Sequence, residues 1–373
     1  MKLPHLEDLP PVEGRRVLVR CDFNVPLSRD GAIEDDLRIR AAVPTLRWLV
    51  ERGAEVTACS HLGRPKGAPD PASDLAPVRE RLASLVPGVR LLDNLRWDPG
   101  EEADDPAFVD RLVEGQDLYV DDAFGAAHRA HASVVGVPER LRAKAAGRLM
   151  AREVAALGRL LGEPERPFAA LLGGAKIEGK IDTLENLLPR LDLLLLGGGM
   201  ANTFLAARGY GLGASLYEPD RVEMAKEILA RAQGRGIEVV LPADVVVTDD
   251  LEKPTRIETV AADAIPAGLK AVDVGPETRR AFAAAIARAR TLFWNGPLGV
   301  FEKPPFDAGT RAVAEALAAC PGFSVIGGGE TVAAVKAAGV AGRIGHVSTG
   351  GGASLELLAG KTLPGVAVLE KGR

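Results

Sequence analysis

Apolar residues come in short runs along this chain, and between most of the runs the spacing turns helical. That alternation predicts parallel strands buried on both faces, each followed by a covering helix. In the first half, residues 16–20, 55–59, 90–92 and 117–120 read as strands, with helices over 39–52 and 75–85. Residues 141–161 are rich in Ala, Leu and Arg and read as one helix. It stops at Gly162-Glu163-Pro164-Glu165-Arg166-Pro167, where prolines and a glycine break any regular element. A second α/β series follows, with strands at 168–172, 193–196, 237–241, 292–294, 323–326 and 346–348. The fold class is α/β with mostly parallel sheets, and the domain junction is placed at the breaker.

A chain of 373 residues supports the division, because it exceeds what one ordinary core serves. Apolar content of 47% and a net charge of −5 with scattered basic residues exclude a general nucleic-acid or membrane surface. Cys21, Cys59 and Cys320 show no paired spacing, which suits a reducing compartment. Residues 1–11 carry no apolar signal core, and no run of apolar residues is long enough to span a bilayer. The expected localisation is cytoplasmic.

In open α/β sheets, ligands bind beyond the carboxyl ends of the strands. The first half places basic residues there. Its strand exits read Cys21-Asp22-Phe23-Asn24, Ser60-His61-Leu62-Gly63-Arg64, Asp93-Asn94-Leu95-Arg96 and Asp121-Asp122 on to Arg129. His61, Arg64, Arg96 and Arg129, with Arg38 in the loop before the first long helix, read as a pocket for a small, multiply charged anion. Asp22 and Asn24 are suited to hydroxyl groups of that ligand. A surface charge or rim ion pair is the plainer reading of any single Arg, and it weakens when every exit supplies one. His128 and His131 lack a third ligand at metal spacing and read as packed or hydrogen-bonded residues.

The second half places glycines at its exits. Residues 193–196 run into Gly197-Gly198-Gly199, residues 323–326 into Gly327-Gly328-Gly329-Glu330-Thr331, and residues 346–349 into Gly350-Gly351-Gly352. Glycine permits close backbone approach, and a helix start presents unpaired N–H groups and a positive dipole end, a combination that holds polyphosphate. Tight βα turns are the plainer reading of one such junction, less so of three. Gly173-Gly174-Ala175-Lys176 leads to Lys180, and two lysines four apart on one face of a helix start reach a phosphate together. Ile181 stands where a P-loop has Ser or Thr, and no dinucleotide fingerprint follows a strand. Asn295-Gly296-Pro297 through Glu302 reads as a loop shaped for a nucleoside.

Taken in order and spacing, these stretches resemble the 3-phosphoglycerate kinase family of glycolysis over essentially the whole chain. The resemblance is carried by residues 21–26, 36–45, 61–65, 121–133, 173–181, 197–204, 241–246, 273–278, 294–302, 327–331 and 347–358. It implies two Rossmann-like three-layer domains joined by a helical hinge: residues 1–161 bind phosphoglycerate, residues 168–359 bind Mg-nucleotide, and the tail 360–373 packs back on the first. It assigns Asp22, Phe23, Asn24, Arg38, His61, Leu62, Gly63, Arg64, Arg96 and Arg129 to the substrate. Nucleotide binding falls to Gly173, Gly174, Lys176, Lys180, Gly198, Asn295, Glu302, Gly327, Gly328, Gly329, Glu330 and Thr331, with Glu330 also holding Mg2+.

The implied reaction moves a phosphoryl group reversibly between 1,3-bisphosphoglycerate and ADP, giving 3-phosphoglycerate and ATP. Arg38, Lys176 and the N–H groups at Gly350 and Gly351 would stabilise the transferring group once the hinge closes. A monomer with no nucleic-acid or membrane partner is expected. Asp93, Trp97 and Glu330 depart from the family's usual Glu, Phe and Asp. A hinged anion-binding protein would explain the arginines without the glycine junctions. An acyl-phosphate ligase would need a third substrate site, and the sequence shows none.

Overall fold

The computed structural model describes residues 2–370. Five strands, β1 (Arg16–Cys21), β2 (Glu55–Cys59), β3 (Arg90–Leu91), β4 (Leu118–Asp122) and β5 (Lys144–Ala146), form a parallel sheet in the order β3-β2-β1-β4-β5. Six more form a second parallel sheet: β6 (Phe168–Leu172), β7 (Leu193–Leu196), β8 (Glu238–Val240), β12 (Thr291–Asn295), β13 (Phe323–Gly327) and β14 (His346–Val347), in the order β14-β13-β12-β6-β7-β8. Between β8 and β12 the chain inserts a small antiparallel sheet of β9 (Asp244–Thr248), β10 (Ile257–Ala261) and β11 (Lys270–Val274).

Burial explains the strand composition. β6 and β7 are buried at every position, so Phe-Ala-Ala-Leu-Leu and Leu-Leu-Leu-Leu show no alternation. β10 alternates between exposed and half-buried positions, a pattern too polar to stand out as a strand in the sequence. One core gathers Val17, Val19, Leu46, Leu49 and Val120, and the other Leu171, Leu195, Phe282, Trp294 and Ile326.

The chain divides into two compact units. One comprises residues up to Ala155 and those from Lys361 onward, and the other Ala156–Gly360. The division therefore falls inside the helix Arg148–Leu161, ahead of the Pro/Gly breaker. The C-terminal helix Pro364–Glu370 belongs to the first unit, where Gly365 N–H donates to the Ala127 carbonyl at 2.9 Å.

Three local readings are corrected. Residues 141–161 are not one helix: Lys144–Ala146 pairs with β4, and the helix starts at Arg148. Ala-rich sequence favours helix, but the otherwise unpaired edge of β4 supplies Tyr119 N–H to the Ala143 carbonyl at 3.1 Å and overrides that propensity. The helix start is then capped from a distance, with Asp122 Oδ1 accepting from Leu149 N–H at 2.8 Å and Thr45 Oγ1 from Arg148 N–H at 2.8 Å. Arg38 lies in the first turn of the helix Leu37–Val50, not in the loop before it. Lys176 and Lys180 do not share a helical face, because the helix begins at Ile181 and positive-φ Gly174 and Gly179 bend the segment before it.

Candidate active site

Each parallel sheet has a point where chain order reverses, and ligands bind in the crevice there. In the first sheet it lies between β1 and β4, and in the second between β6 and β12.

In the first unit, the exits of β1 and β2 are tied together. Ser60 Oγ accepts from Phe23 N–H at 2.8 Å, and Asn24 Oδ1 accepts from Gly63 N–H at 2.9 Å. Arg96 Nη1 donates to the Gly63 carbonyl at 2.8 Å, and Arg38 Nη1 is hydrogen-bonded to Asp22 Oδ2. Asp22, Asn24, Arg38, Gly63 and Arg96 thus form one hydrogen-bonded group, with His61 in the same strand exit as Gly63. Burial works against ionising Asp22, but the guanidinium charges of Arg38 and Arg20 outweigh it and hold the carboxyl below its usual range. Burial and the charge of Arg20 push His61 well below its ordinary pKa, so the ring is neutral. His131 is pushed down to about 4 by burial and by Arg96, Arg129 and Arg20. Phe23 and Leu62 have side chains in the core, which leaves only their backbone to face a ligand. Arg64 is exposed.

Residues outside the sequence reading build this surface. Asn94 is buried and fixes the loop after β2, with Nδ2 donating to the carbonyls of Leu62 at 2.7 Å and Ser73 at 2.9 Å. Gly125 leaves room for the Arg38–Asp22 pair, since a Cβ there would lie 2.2 Å from Asp22 Oδ2. Arg20, Glu101 and Ser133 form a buried polar group beneath His61. A charge inside the strand Val-Leu-Val-Arg-Cys was the visible signal for the first of these. Glu101 and Ser133 gave none.

In the second unit the glycines serve two purposes. Gly173 N–H donates to the Asn295 carbonyl at 2.9 Å and Gly174 N–H to the Pro297 carbonyl at 2.7 Å, joining the exits of β6 and β12. A Cβ on Gly198 would lie 2.7 Å from the Gly174 carbonyl oxygen, and Gly199 and Gly197 are equally crowded by Ala175 and Leu298. These glycines let three loops interlock. By contrast, a Cβ on Gly329 or Gly351 would meet nothing within 4 Å, so these two face open space. Asn295 and Thr331 stitch loops together: Asn295 Nδ2 donates to the Gly327 carbonyl at 2.8 Å, and Thr331 Oγ1 accepts from Gly296 N–H at 2.7 Å. Gly350 N–H is engaged by Ser348 Oγ at 3.1 Å.

Beside the interlocked loops lies a cavity of about 270 Å³, lined by Gly174, Gly198, Val272, Leu298, Glu302 and Glu330 among others. A mostly apolar slot edged by carboxylates and glycine backbone suits a nucleoside phosphate. Lys176 is exposed. Lys180 is half-buried, with its Nζ 3.1 Å from where a Cβ on Gly174 would be. Burial lowers its pKa, opposed by Glu330 and Glu218. Glu218 Oε2 also accepts from Ile177 N–H at 2.5 Å, anchoring the lysine segment.

Glu330 is in the first turn of the helix Gly329–Ala337. Among the described residues, no group of three or more His, Cys, Asp or Glu side chains could hold a metal. Glu302 and Glu330 line the cavity, and one or two such carboxylates together with substrate phosphates is the usual way Mg2+ is held.

The phosphoglycerate kinase family model matches residues 6–90 and 87–361 of this chain. The phosphoglycerate kinase of Thermomicrobium roseum is 53% identical over 382 residues, covering 96% of this chain and 97% of the relative. That of Desulforudis audaxviator is 52% identical over 383 residues, with 96% and 97% coverage. Among solved structures, phosphoglycerate kinase from Coxiella burnetii superposes with a TM-score of 0.92 at 38% identity, covering 99% of both chains. The enzyme from Pyrococcus horikoshii superposes with a TM-score of 0.85 at 31% identity and the same coverage.

Proposed function

The chain belongs to the phosphoglycerate kinase family, and on that footing we propose that it transfers a phosphoryl group reversibly between 1,3-bisphosphoglycerate and ADP, giving 3-phosphoglycerate and ATP. The observation that carries the residue-level reading is the pairing of two unlike strand-exit surfaces. One is a cationic pocket at the β1/β4 crevice, and the other a glycine-lined cleft with Lys180 beside the β6/β12 crevice.

The chemistry follows from charge. Toward ATP, an ADP phosphate oxygen attacks the acyl phosphate phosphorus, and the bond from phosphorus to the carboxyl oxygen breaks. The leaving group is an ionised carboxylate and the attacking oxygen is already ionised, so no proton moves and no base is needed. Such a transfer passes through a loose, anionic phosphoryl group, and catalysis is positioning plus electrostatic stabilisation. Arg38 and Lys176 supply the compensating charge, and Asp22 holds Arg38 oriented beforehand. Phosphoglycerate is held by His61, Arg96 and Arg129, with Arg64 at the exposed margin. Glu330 would hold Mg2+, which supplies charge neutralisation to the nucleotide phosphates when bound. Transfer requires that the two units bring their ligands together, and closure excludes water from the labile acyl phosphate.

No helix among the described residues is long and apolar enough to cross a membrane, and Cys21, Cys59 and Cys320 are free thiols. Free thiols suit a reducing cytoplasm.

A coupled assay with 3-phosphoglycerate and MgATP tests the function, and a folded protein that turns over neither direction refutes it. Lys180→Ala is expected to weaken MgATP binding about 10- to 100-fold, the worth of a hydrogen bond to a charged group. Calorimetry with 3-phosphoglycerate alone should show unchanged affinity, and equal loss for both ligands would mean global damage. Glu330→Gln is expected to raise severalfold the magnesium concentration giving half-maximal rate. An unchanged dependence would leave the ion on nucleotide oxygens and water alone.

A further inference from the structure

One cation beneath the first pocket is sealed from any ligand. Arg20 stands in β1 between apolar neighbours and is 1% exposed. A buried guanidinium survives only if its N–H groups find acceptors. Here Nε donates to Ser133 Oγ at 2.7 Å, Nη1 to the Cys21 carbonyl, and Nη2 to His61 Nδ1 at 3.1 Å. Behind it stands Glu101, 0% exposed. Its Oε1 accepts the Ser133 hydroxyl at 2.6 Å and lies 4.0 Å from Arg20 Nη2, while Oε2 accepts Ser133 N–H at 3.0 Å. The Ser133 hydroxyl therefore accepts from the arginine and donates to the carboxylate, which fixes the whole chain of donors in one direction.

That direction decides the state of the histidine. Arginine only donates, so Nδ1 of His61 must offer a lone pair. A neutral imidazole carries one proton, and here it has only Nε2 left to occupy. We infer that Arg20, held by Ser133 and Glu101, is a positioning residue that locks His61 as the Nε2–H tautomer, so that the ring meets the anionic substrate as a neutral hydrogen-bond donor.

The arrangement has a physical advantage over a protonated ring. Arg20, Arg38 and Arg96 already act on His61, with Asp22 opposing them, and another positive charge in that buried space would be repelled. Carboxylate and phosphate oxygens only accept. The other tautomer would turn a lone pair toward them and lose a bond. The identity of the ligand rests on the proposed function, but the tautomer belongs to the free protein.

The test begins with the unmodified chain. Two-bond 1H–15N correlation spectra of protein labelled at histidine nitrogen, at neutral pH, distinguish the two ring nitrogens, and His61→Gln assigns the signal. A single set of shifts with the proton on Nε2 is expected. A proton on Nδ1, or shifts averaged between tautomers, overturns the inference whatever the variants do. Ser133→Ala removes the bridge from Arg20 to Glu101 and should move the ring toward averaged shifts. It should also raise KM for 3-phosphoglycerate about tenfold, the worth of one hydrogen bond, with kcat and KM for ATP nearly unchanged. A Ser133→Ala protein with the wild-type tautomer and the wild-type KM overturns the bridge. Because the spectrum needs no turnover, an Nε2–H tautomer in an inactive chain would refute the function and leave this inference standing.

Discussion

Replacing Arg38 with alanine is expected to lower kcat by about 100- to 1,000-fold, the loss of roughly 3–4 kcal/mol found when one oxyanion-type donor is removed. Arg38 combines a side chain that is 32% exposed with a preset orientation. Its Nη1 is held by Asp22, and Gly125 leaves the space the pair occupies, since a Cβ there would also lie 3.2 Å from that nitrogen. The guanidinium is thus aimed before any ligand arrives, which is the condition for electrostatic stabilisation without reorganisation. Arg38→Lys keeps the charge but loses the planar fork, and should recover only part of the rate. Steady-state kinetics decide the matter, with thermal melting to check that the now unpaired Asp22 has not loosened the fold. A change confined to KM would leave Arg38 a binding residue.

The second large effect is expected from Gly296→Ala. Gly296 has φ +95°, and a Cβ there would lie 2.3 Å from the Gly173 carbonyl oxygen and 2.8 Å from Gly174 N. Both contacts are to backbone, which cannot swing aside as a long side chain does. Strain at a left-handed non-glycine residue and overpacking each cost about 1–3 kcal/mol, so the sum is roughly 2–6 kcal/mol. A melting shift on the order of 5–15 °C in the unit Ala156–Gly360 follows. The hydrogen bonds from Gly173 and Gly174 to residues 295 and 297 would be displaced as well. MgATP affinity should fall at least about tenfold, while 3-phosphoglycerate still binds the first unit. Wild-type melting and wild-type nucleotide affinity together would show that the loops are not interlocked as described.

Much of this protein could be read before any coordinates. Continuous apolar runs such as Leu193–Leu196 and Phe168–Leu172 dictate parallel strands buried on both faces, because no alternation is needed where both faces are covered. The position of functional residues just after those strands follows from the same topology. His61, Arg64, Arg96 and Arg129 could be read as a group because basic residues recur at consecutive strand exits, and a recurring exception to ordinary surface chemistry is a local signal.

What the sequence could not decide depends on partners distant in the chain. Residues 144–146 became a strand because β4 offered an open ladder, which outweighs an Ala-rich helical propensity. Lys176 and Lys180 lost their helical face because the helix begins only at Ile181 and Gly174 and Gly179 before it take positive φ. The triple glycines look alike in the sequence, yet Gly198 packs against backbone while Gly329 and Gly351 stand open. Only the crossing of β6, β7 and β12 exits separates the two kinds. Arg20, Glu101 and Ser133 lie far apart along the chain, and nothing local links them. The sequence alone therefore determined which family the chain belongs to and which strand ends gather basic residues and glycines. Tertiary packing alone decided which glycines stand open and which pack against backbone, and which buried groups surround His61, because both depend on atoms that meet only when the sheet closes around them.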